Sequence, residues 1–291
     1  MRVLVLGGTG SIGASVVRAL ISRRHEVLGL ARSDSAASSL GAQGVQPVRG
    51  DVRWPEEWAD LAESVDALVQ VAGDFTADAD SLGRNLISAL LRRLHARNVG
   101  PPPAYIYTGG CWLYGNTADR VATEESPFDA PAEWAWSIDH LNMILGAAQV
   151  RGIVIHPAMV YERDGGALAQ FRDDLSKLGR IRIFGHENVH WPMVHRADIG
   201  RLYALALEQA PRGASYNGAA VDAIPIGVLA RAMARRAGVE LPPLVRPVEE
   251  AALEFGEWAR GYAIDQRMSG AKARRELGWI PTHTDPLADI S

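Results

Sequence analysis

The 291-residue sequence predicts an α/β fold: a doubly wound parallel sheet with a smaller, partly helical C-terminal substrate lobe. Three observations predict it. Short runs of strand length, apolar on both faces, alternate with helical patterns as far as Ile155. The segment Gly7-Gly8-Thr9-Gly10-Ser11-Ile12-Gly13 falls between the first strand and the first helix. Beyond Pro157 the alternation gives way to helices separated by longer loops.

Residues 3–6 are a continuous apolar strand, and residues 11–22 a helix with Ile12, Val16, Ala19 and Leu20 at helical spacing. Charged residues 23–26 make the turn into a second strand at 27–30. This unit has the length of a right-handed crossover. Residues 45–48 give a third strand ending at Asp51, residues 54–62 a short helix, and residues 67–71 a fourth strand that breaks at Gly73. Leu82, Leu86, Leu90 and Leu94 recur every four residues and mark a strong helix over 82–94. Residues 104–108 form the fifth strand, 134–148 a long helix, and 152–155 a sixth strand stopped by Pro157. Further helices are expected at 197–209, 226–237, 251–259 and 271–277, with long loops at 179–194 and 238–247. The expected division is a dinucleotide-binding Rossmann core at 1–160 and, at 161–291, mainly a substrate-binding lobe with segments returning to the core.

Composition narrows the function. A 47% hydrophobic content suits a sizeable core. A net charge of -4 with no strongly basic segment argues against nucleic acid as partner. No stretch approaches the roughly 20 apolar residues of a membrane span, and the apolar run after Arg2 ends in glycines rather than continuing as a leader. The single cysteine, Cys111, permits no intrachain disulfide and fits a reducing compartment. The expected protein is cytoplasmic, without membrane or nucleic-acid partner, and a monomer or homodimer.

The glycine segment carries the sharpest chemistry. Gly7 permits a tight turn, Gly10 lets backbone approach a pyrophosphate, and Gly13 lets the helix pack on the sheet. Backbone N–H groups of Thr9, Ser11 and Ile12 then face the anion at the helix start. Its place between strand and helix is the context such a motif requires. Arg32, just past the second strand, suits a ribose 2′-phosphate where NAD sites place a carboxylate, so NADPH is the expected cofactor and NADH a weaker alternative. Arg32 as a solvated charge is the other reading. Asp51 either accepts from the adenine amino group, with Val52 packing the ring, or caps the next helix. Ala72 and Gly73 are expected to pass the ribose as bare backbone.

These pieces join Tyr105-Ile106-Tyr107-Thr108-Gly109-Gly110, Leu113-Tyr114-Gly115, His156-Pro157-Ala158-Met159-Val160-Tyr161, Val194-His195-Arg196-Ala197-Asp198-Ile199 and Leu277-Gly278-Trp279-Ile280-Pro281. Over nearly its whole length the chain resembles the extended short-chain dehydrogenase/reductases, the broad epimerase/dehydratase group. The resemblance implies a hydroxyl, a tyrosine and a lysine as catalytic trio. It places them at Gly110, Trp134 and Ile138, so all three are absent. It also places Thr108 and Pro157 beside the cofactor. The departures resemble the atypical angucyclinone ketoreductases of antibiotic biosynthesis, such as that of the simocyclinone pathway. That implies NADPH-dependent reduction of an aromatic polyketide ketone whose own phenol polarises the carbonyl. A non-catalytic NADP(H)-binding regulator and a nucleotide-sugar epimerase or dehydratase are the alternatives.

With the trio gone, Tyr161, Thr108 and Asp74 are the candidates for proton handling. Gly110, Trp112, Tyr114, Trp134 and Trp191 are the candidate substrate surface, because aromatic faces suit a large flat ligand; core packing is the competing reading. His156 stands where the family has an arginine and reads as either a pH-sensitive donor or a structural residue. His186, His190 and His195 share one stretch, but their spacing and the lack of a nearby cysteine argue against a metal. The segment 179–191 is expected to be a flexible cover over the pocket.

Overall fold

The computed structural model describes residues 1–73, 78–96, 100–163 and 165–290. In chain order the strands and helices are β1 Arg2–Leu6, α1 Ser11–Ser22, β2 Glu26–Ala31, α2 Asp34–Gly41, β3 Gln46–Arg49, β4 Ala67–Gln70, α3 Ala79–Ala96, β5 Ala104–Thr108, α4 Ala132–Gly146 and β6 Arg151–Pro157. They continue as β7 Met159–Glu162, β8 Gly165–Gly166, α5 Ala169–Leu178, β9 Arg182–Phe184, β10 His190–His195, α6 Arg196–Gln209, β11 Ala214–Gly218 and β12 Val221–Pro225. Last come α7 Ile226–Arg236, β13 Leu244–Arg246, α8 Val248–Phe255, α9 Ala271–Leu277 and α10 Pro286–Ile290.

The principal sheet has the order β11-β6-β5-β4-β1-β2-β3, and its pairings from β3 through β6 are parallel. This is the predicted doubly wound Rossmann arrangement, with order reversing about β1. Val3, Leu4, Val5 and Leu6 are fully buried, as are Leu68 and Val69 of β4. Burial on both faces explains their unbroken apolar runs.

By compactness the chain divides into two units. The first comprises Met1–Gly109, Trp136–Ile155 and Ile199–Tyr216; the second comprises Gly110–Ala135, His156–Asp198 and Asn217–Ser291. The second is partly helical and carries a four-stranded sheet, β12-β10-β7-β8, and a two-stranded one, β13-β9. Among the described residues no helix is long and apolar enough to cross a membrane.

Several expected loops are ordered elements. The stretch 179–194 is not one long loop: it holds β9 and β10, and β10 lies between β12 and β7. Loop 238–247 contains β13. Pro157 does not stop the chain's extension, because β7 follows after Ala158. Residues 54–62 form two 3-10 turns, Pro55–Glu57 and Ala59–Ser64, rather than one helix. Helix 251–259 is likewise split into α8 and a 3-10 turn, Glu257–Ala263, at Gly256, whose φ is 101°.

Candidate functional site

In the first unit the glycine segment is a tight cradle. Gly10 N–H donates to Gly7 O at 3.0 Å, and Gly7 has φ 89°. A Cβ at Gly13 would lie 2.0 Å from Gly7 O, and one at Gly7 would lie 2.7 Å from the Ala72 nitrogen. The absent side chains therefore let β1, α1 and the end of β4 converge, which brings Gly7 beside Ala72. Gly10 is the N-cap of α1 and supplies no side-chain cap to its first turn. A cradle of backbone with no Cβ fits a pyrophosphate.

Arg32 follows β2, exposed, and its positive charge acts on Asp51. Ser33 caps α2, accepting from the Ala36 N–H at 3.2 Å, so the expected 2′-phosphate position coincides with a helix start. Asp51 caps no α-helix. Its carboxylate accepts from the Arg53 N–H at 3.0 Å and the Arg53 Nη2 at 2.7 Å. Chiefly through that guanidinium, its pKa is held below the ordinary carboxylate range. Arg53 is a residue that sequence reasoning missed.

Val52, Ala72 and Gly73 border a cavity of about 50 Å³ with Arg53, Gln70, Tyr107, Trp136 and His140. Two of its lining residues, Tyr107 and His140, belong to a hydrogen-bonded chain: Tyr107 OH lies 3.4 Å from His140 Nδ1, and His140 Nε2 lies 3.0 Å from Asp80 Oδ1. Burial lowers the His140 pKa, against the opposing pull of Asp80. Thr108, one residue on, donates to Gln70 O at 2.7 Å and lies 2.7 Å from Tyr203 OH. Its hydroxyl is engaged within the unit. Asp74 lies outside the described residues.

The other candidates belong to the second unit. Gly110 is extended, with φ -173°, and a Cβ there would meet nothing within 4 Å. Trp112 and Trp134 are half-buried, with ring centroids 5.1 Å apart. Trp258 stacks on Trp112 at 6.4 Å and Tyr262 meets it edge-on at 5.9 Å, both half-buried. The four rings form one partly exposed aromatic wall. Trp258 and Tyr262 were not in the sequence-derived set, although their four-residue separation was the available signal.

Trp191 is buried against Phe171 and Tyr262, and its indole N–H donates to Tyr262 O at 3.1 Å. Tyr114 is also buried, donating to Asn217 Oδ1 at 2.8 Å. Both sit where the packing reading puts them. Pro157 ends β6. Tyr161 has no exposed surface and donates to Asp289 Oδ2 at 2.6 Å, and burial raises its pKa strongly. His156 is buried with Gly110 as backbone partner, and burial pulls its pKa down to about 4, so it is neutral near pH 7. The three histidines of one stretch separate. His186 accepts from Asn188 N–H and His190 meets Asp265 at 2.9 Å. His195 stacks on His283 at 3.8 Å, beside Asp198. Asp198 accepts from Thr282 N–H and His283 N–H at 3.0 and 2.9 Å, which ties the C-terminal segment to the start of α6.

The fold and glycine cradle define a dinucleotide-binding protein, and the family follows from comparison. The chain belongs to the NAD dependent epimerase/dehydratase family, whose model matches residues 3–219. It is an NAD(P)H-binding enzyme of the oxidoreductase and epimerase type. An uncharacterized protein of Schizosaccharomyces pombe is 27% identical over 297 residues, covering 100% of this chain and 98% of that protein. Solved structures share the fold, among them two with a bound nicotinamide cofactor. Human epimerase family protein SDR39U1, solved with NADPH, has a TM-score of 0.76 at 21% identity, covering 100% of this chain and 98% of that one. A double mutant of the dTDP-glucose 4,6-dehydratase DesIV of Streptomyces venezuelae, solved with NAD, has a TM-score of 0.80 at 21% identity, covering 97% and 92%.

Proposed function

We propose that the chain is an NADPH-dependent reductase of a carbonyl on a flat, apolar ring system, with an aromatic polyketide ketone of the angucyclinone type as the substrate to test. The observation that carries this reading is the half-exposed wall of Trp112, Trp134, Trp258 and Tyr262. Such rings offer broad apolar contact to another ring. None of these four side chains carries a charge to pair with a diphosphate.

The Gly7–Gly13 cradle would hold the pyrophosphate, Arg32 with the Ser33-capped start of α2 the 2′-phosphate, and Asp51 with Val52 the adenine. Ala72, Gly73, Thr108 and Pro157 complete the expected cofactor set. NADPH supplies a hydride to the carbonyl carbon when bound. The carbonyl oxygen then needs one proton. Gly110, Trp134 and Ile138 offer none in place of the family trio. Tyr161 has its proton engaged by Asp289. A phenol on the substrate, hydrogen-bonded to the carbonyl, would polarise it, and solvent would deliver the proton. NADPH oxidation followed at 340 nm with a peri-hydroxylated angucyclinone ketone tests this. Turnover that falls when the phenol is methylated supports it, and no turnover despite NADPH binding overturns it.

Family membership favours a second reading, an epimerase or dehydratase of nucleotide-linked sugars, the activity named for the DesIV dehydratase that shares the fold. It requires a proton-transfer group that the three replaced positions lack. Conversion of dTDP-glucose or UDP-glucose with bound NAD would establish it.

A further inference from the structure

The second unit contains a cavity of about 400 Å³ that shares no residue with the candidate cofactor and substrate sets. It is bordered by the packed helices α5 and α7. From α5 come Arg172, Leu175 and Ser176, spaced i, i+3, i+4 and therefore on one face. Met233, Arg236 and Ala237 repeat that spacing at the end of α7. Arg163, after β7, and Ile290, ending α10, complete it.

We propose that this cavity binds a small amphiphilic oxyanion, a carboxylate or phosphate carrying an apolar body. Three guanidinium groups and one hydroxyl border it, and no acidic side chain does so among the described residues. Arg163 makes no hydrogen bond or ion pair among the described residues. Among the described residues Arg172 pairs with the neighbouring Asp173, which lies outside the lining. Arg236 donates to the Ile290 carbonyl, which leaves other N–H groups of its fork. The charged groups bordering the cavity are all positive among the described residues, and a shared oxyanion relieves their mutual repulsion. The guanidinium fork matches two oxygens of a carboxylate or phosphate. Leu175, Met233, Ala237 and Ile290 supply an apolar lining, and the volume lies within the roughly 300–1,000 Å³ of small-molecule pockets.

Calorimetric titration of the full chain with octyl phosphate, octanoate, inorganic phosphate and octanol tests the proposal without reference to activity. Saturable binding of octyl phosphate or octanoate is expected, and which one binds more tightly identifies the head group. Arg163→Ala with Arg236→Ala should weaken it roughly tenfold or more. Arg235→Ala should leave it unchanged, because Arg235 is an exposed α7 arginine outside the cavity. Equal binding by octanol, no effect of the double variant, or an equal loss in Arg235→Ala would each overturn the proposal.

Discussion

Gly13→Ala puts the cofactor cradle to a quantitative test. The new Cβ would stand 2.0 Å from Gly7 O, 2.8 Å from Gly7 C and 2.9 Å from Gly8 Cα. Real Cβ atoms stay beyond about 3.0 Å, so the nearest contact is short by about 1.0 Å. All three neighbours are backbone, so no rotamer change relieves the clash. Nor can the loop retreat toward β4, because Gly7 already lies too close to Ala72 for a Cβ of its own. Overpacking of this kind costs about 1–3 kcal/mol. At roughly 2–4 °C per kcal/mol, Tm should fall by about 2–12 °C. The displaced backbone is the part proposed to meet the pyrophosphate, so the Kd for NADPH should rise about tenfold or more, equivalent to 1.4 kcal/mol. Scanning calorimetry reads the first effect and NADPH fluorescence titration the second. Gly110→Ala is the matched control: its Cβ meets nothing within 4 Å, and Tm should move by less than about 2 °C. If Gly13→Ala behaves like Gly110→Ala in both measurements, the cradle argument is wrong.

Arg32→Ala should weaken NADPH binding by roughly tenfold and leave NADH nearly unchanged, since only the 2′-phosphate loses a charge-assisted partner; parallel titrations decide, and equal losses would remove Arg32 from the phosphate site. Tyr161→Phe strips the Asp289 carboxylate of a buried donor and should cost about 1–3 kcal/mol by denaturant unfolding. His156 has a folded pKa of about 4 against an ordinary 6.5. Above pH 6.5 both folded and unfolded forms are neutral there, and between 6.5 and 4 only the unfolded chain takes the proton. Stability should therefore fall with acidification across that window, by up to about 3 kcal/mol, and His156→Gln should flatten the profile between pH 6.5 and 4. Trp112→Ala with Trp134→Ala should weaken binding of a planar ring ligand by tenfold or more while NADPH affinity holds, given the roughly 0.5–1.5 kcal/mol that each ring pair adds beyond area burial.

The first crossover was legible because every local preference agreed. The apolar run of β1 is buried on both faces, glycines occupy positions where a Cβ would collide, and α1 spans the residues its periodicity marks. Where local signals are weak, reading failed. Helix α2, Asp-Ser-Ala-Ala-Ser-Ser-Leu-Gly, buries only Leu40 and so shows no apolar period; its Ser33 cap was the available sign. Strand β10 was hidden by Pro192 and by a histidine at each end. Proline withholds an N–H from a ladder, and here it falls at the register shift between Trp191 and Met193 on the β12 side, where the pairing tolerates it. The substrate side failed for a different reason. Burial of an aromatic residue depends on partners distant in sequence: Trp191 is covered by Phe171 and Tyr262, whereas Trp112 keeps an exposed edge although it touches Trp134, Trp258 and Tyr262. A cofactor that is bound mainly by backbone leaves its mark in consecutive residues. A substrate surface assembled from residues 112, 134, 258 and 262 leaves almost none, so the dinucleotide cradle can be read from the chain's first 13 residues while the substrate must be sought by experiment.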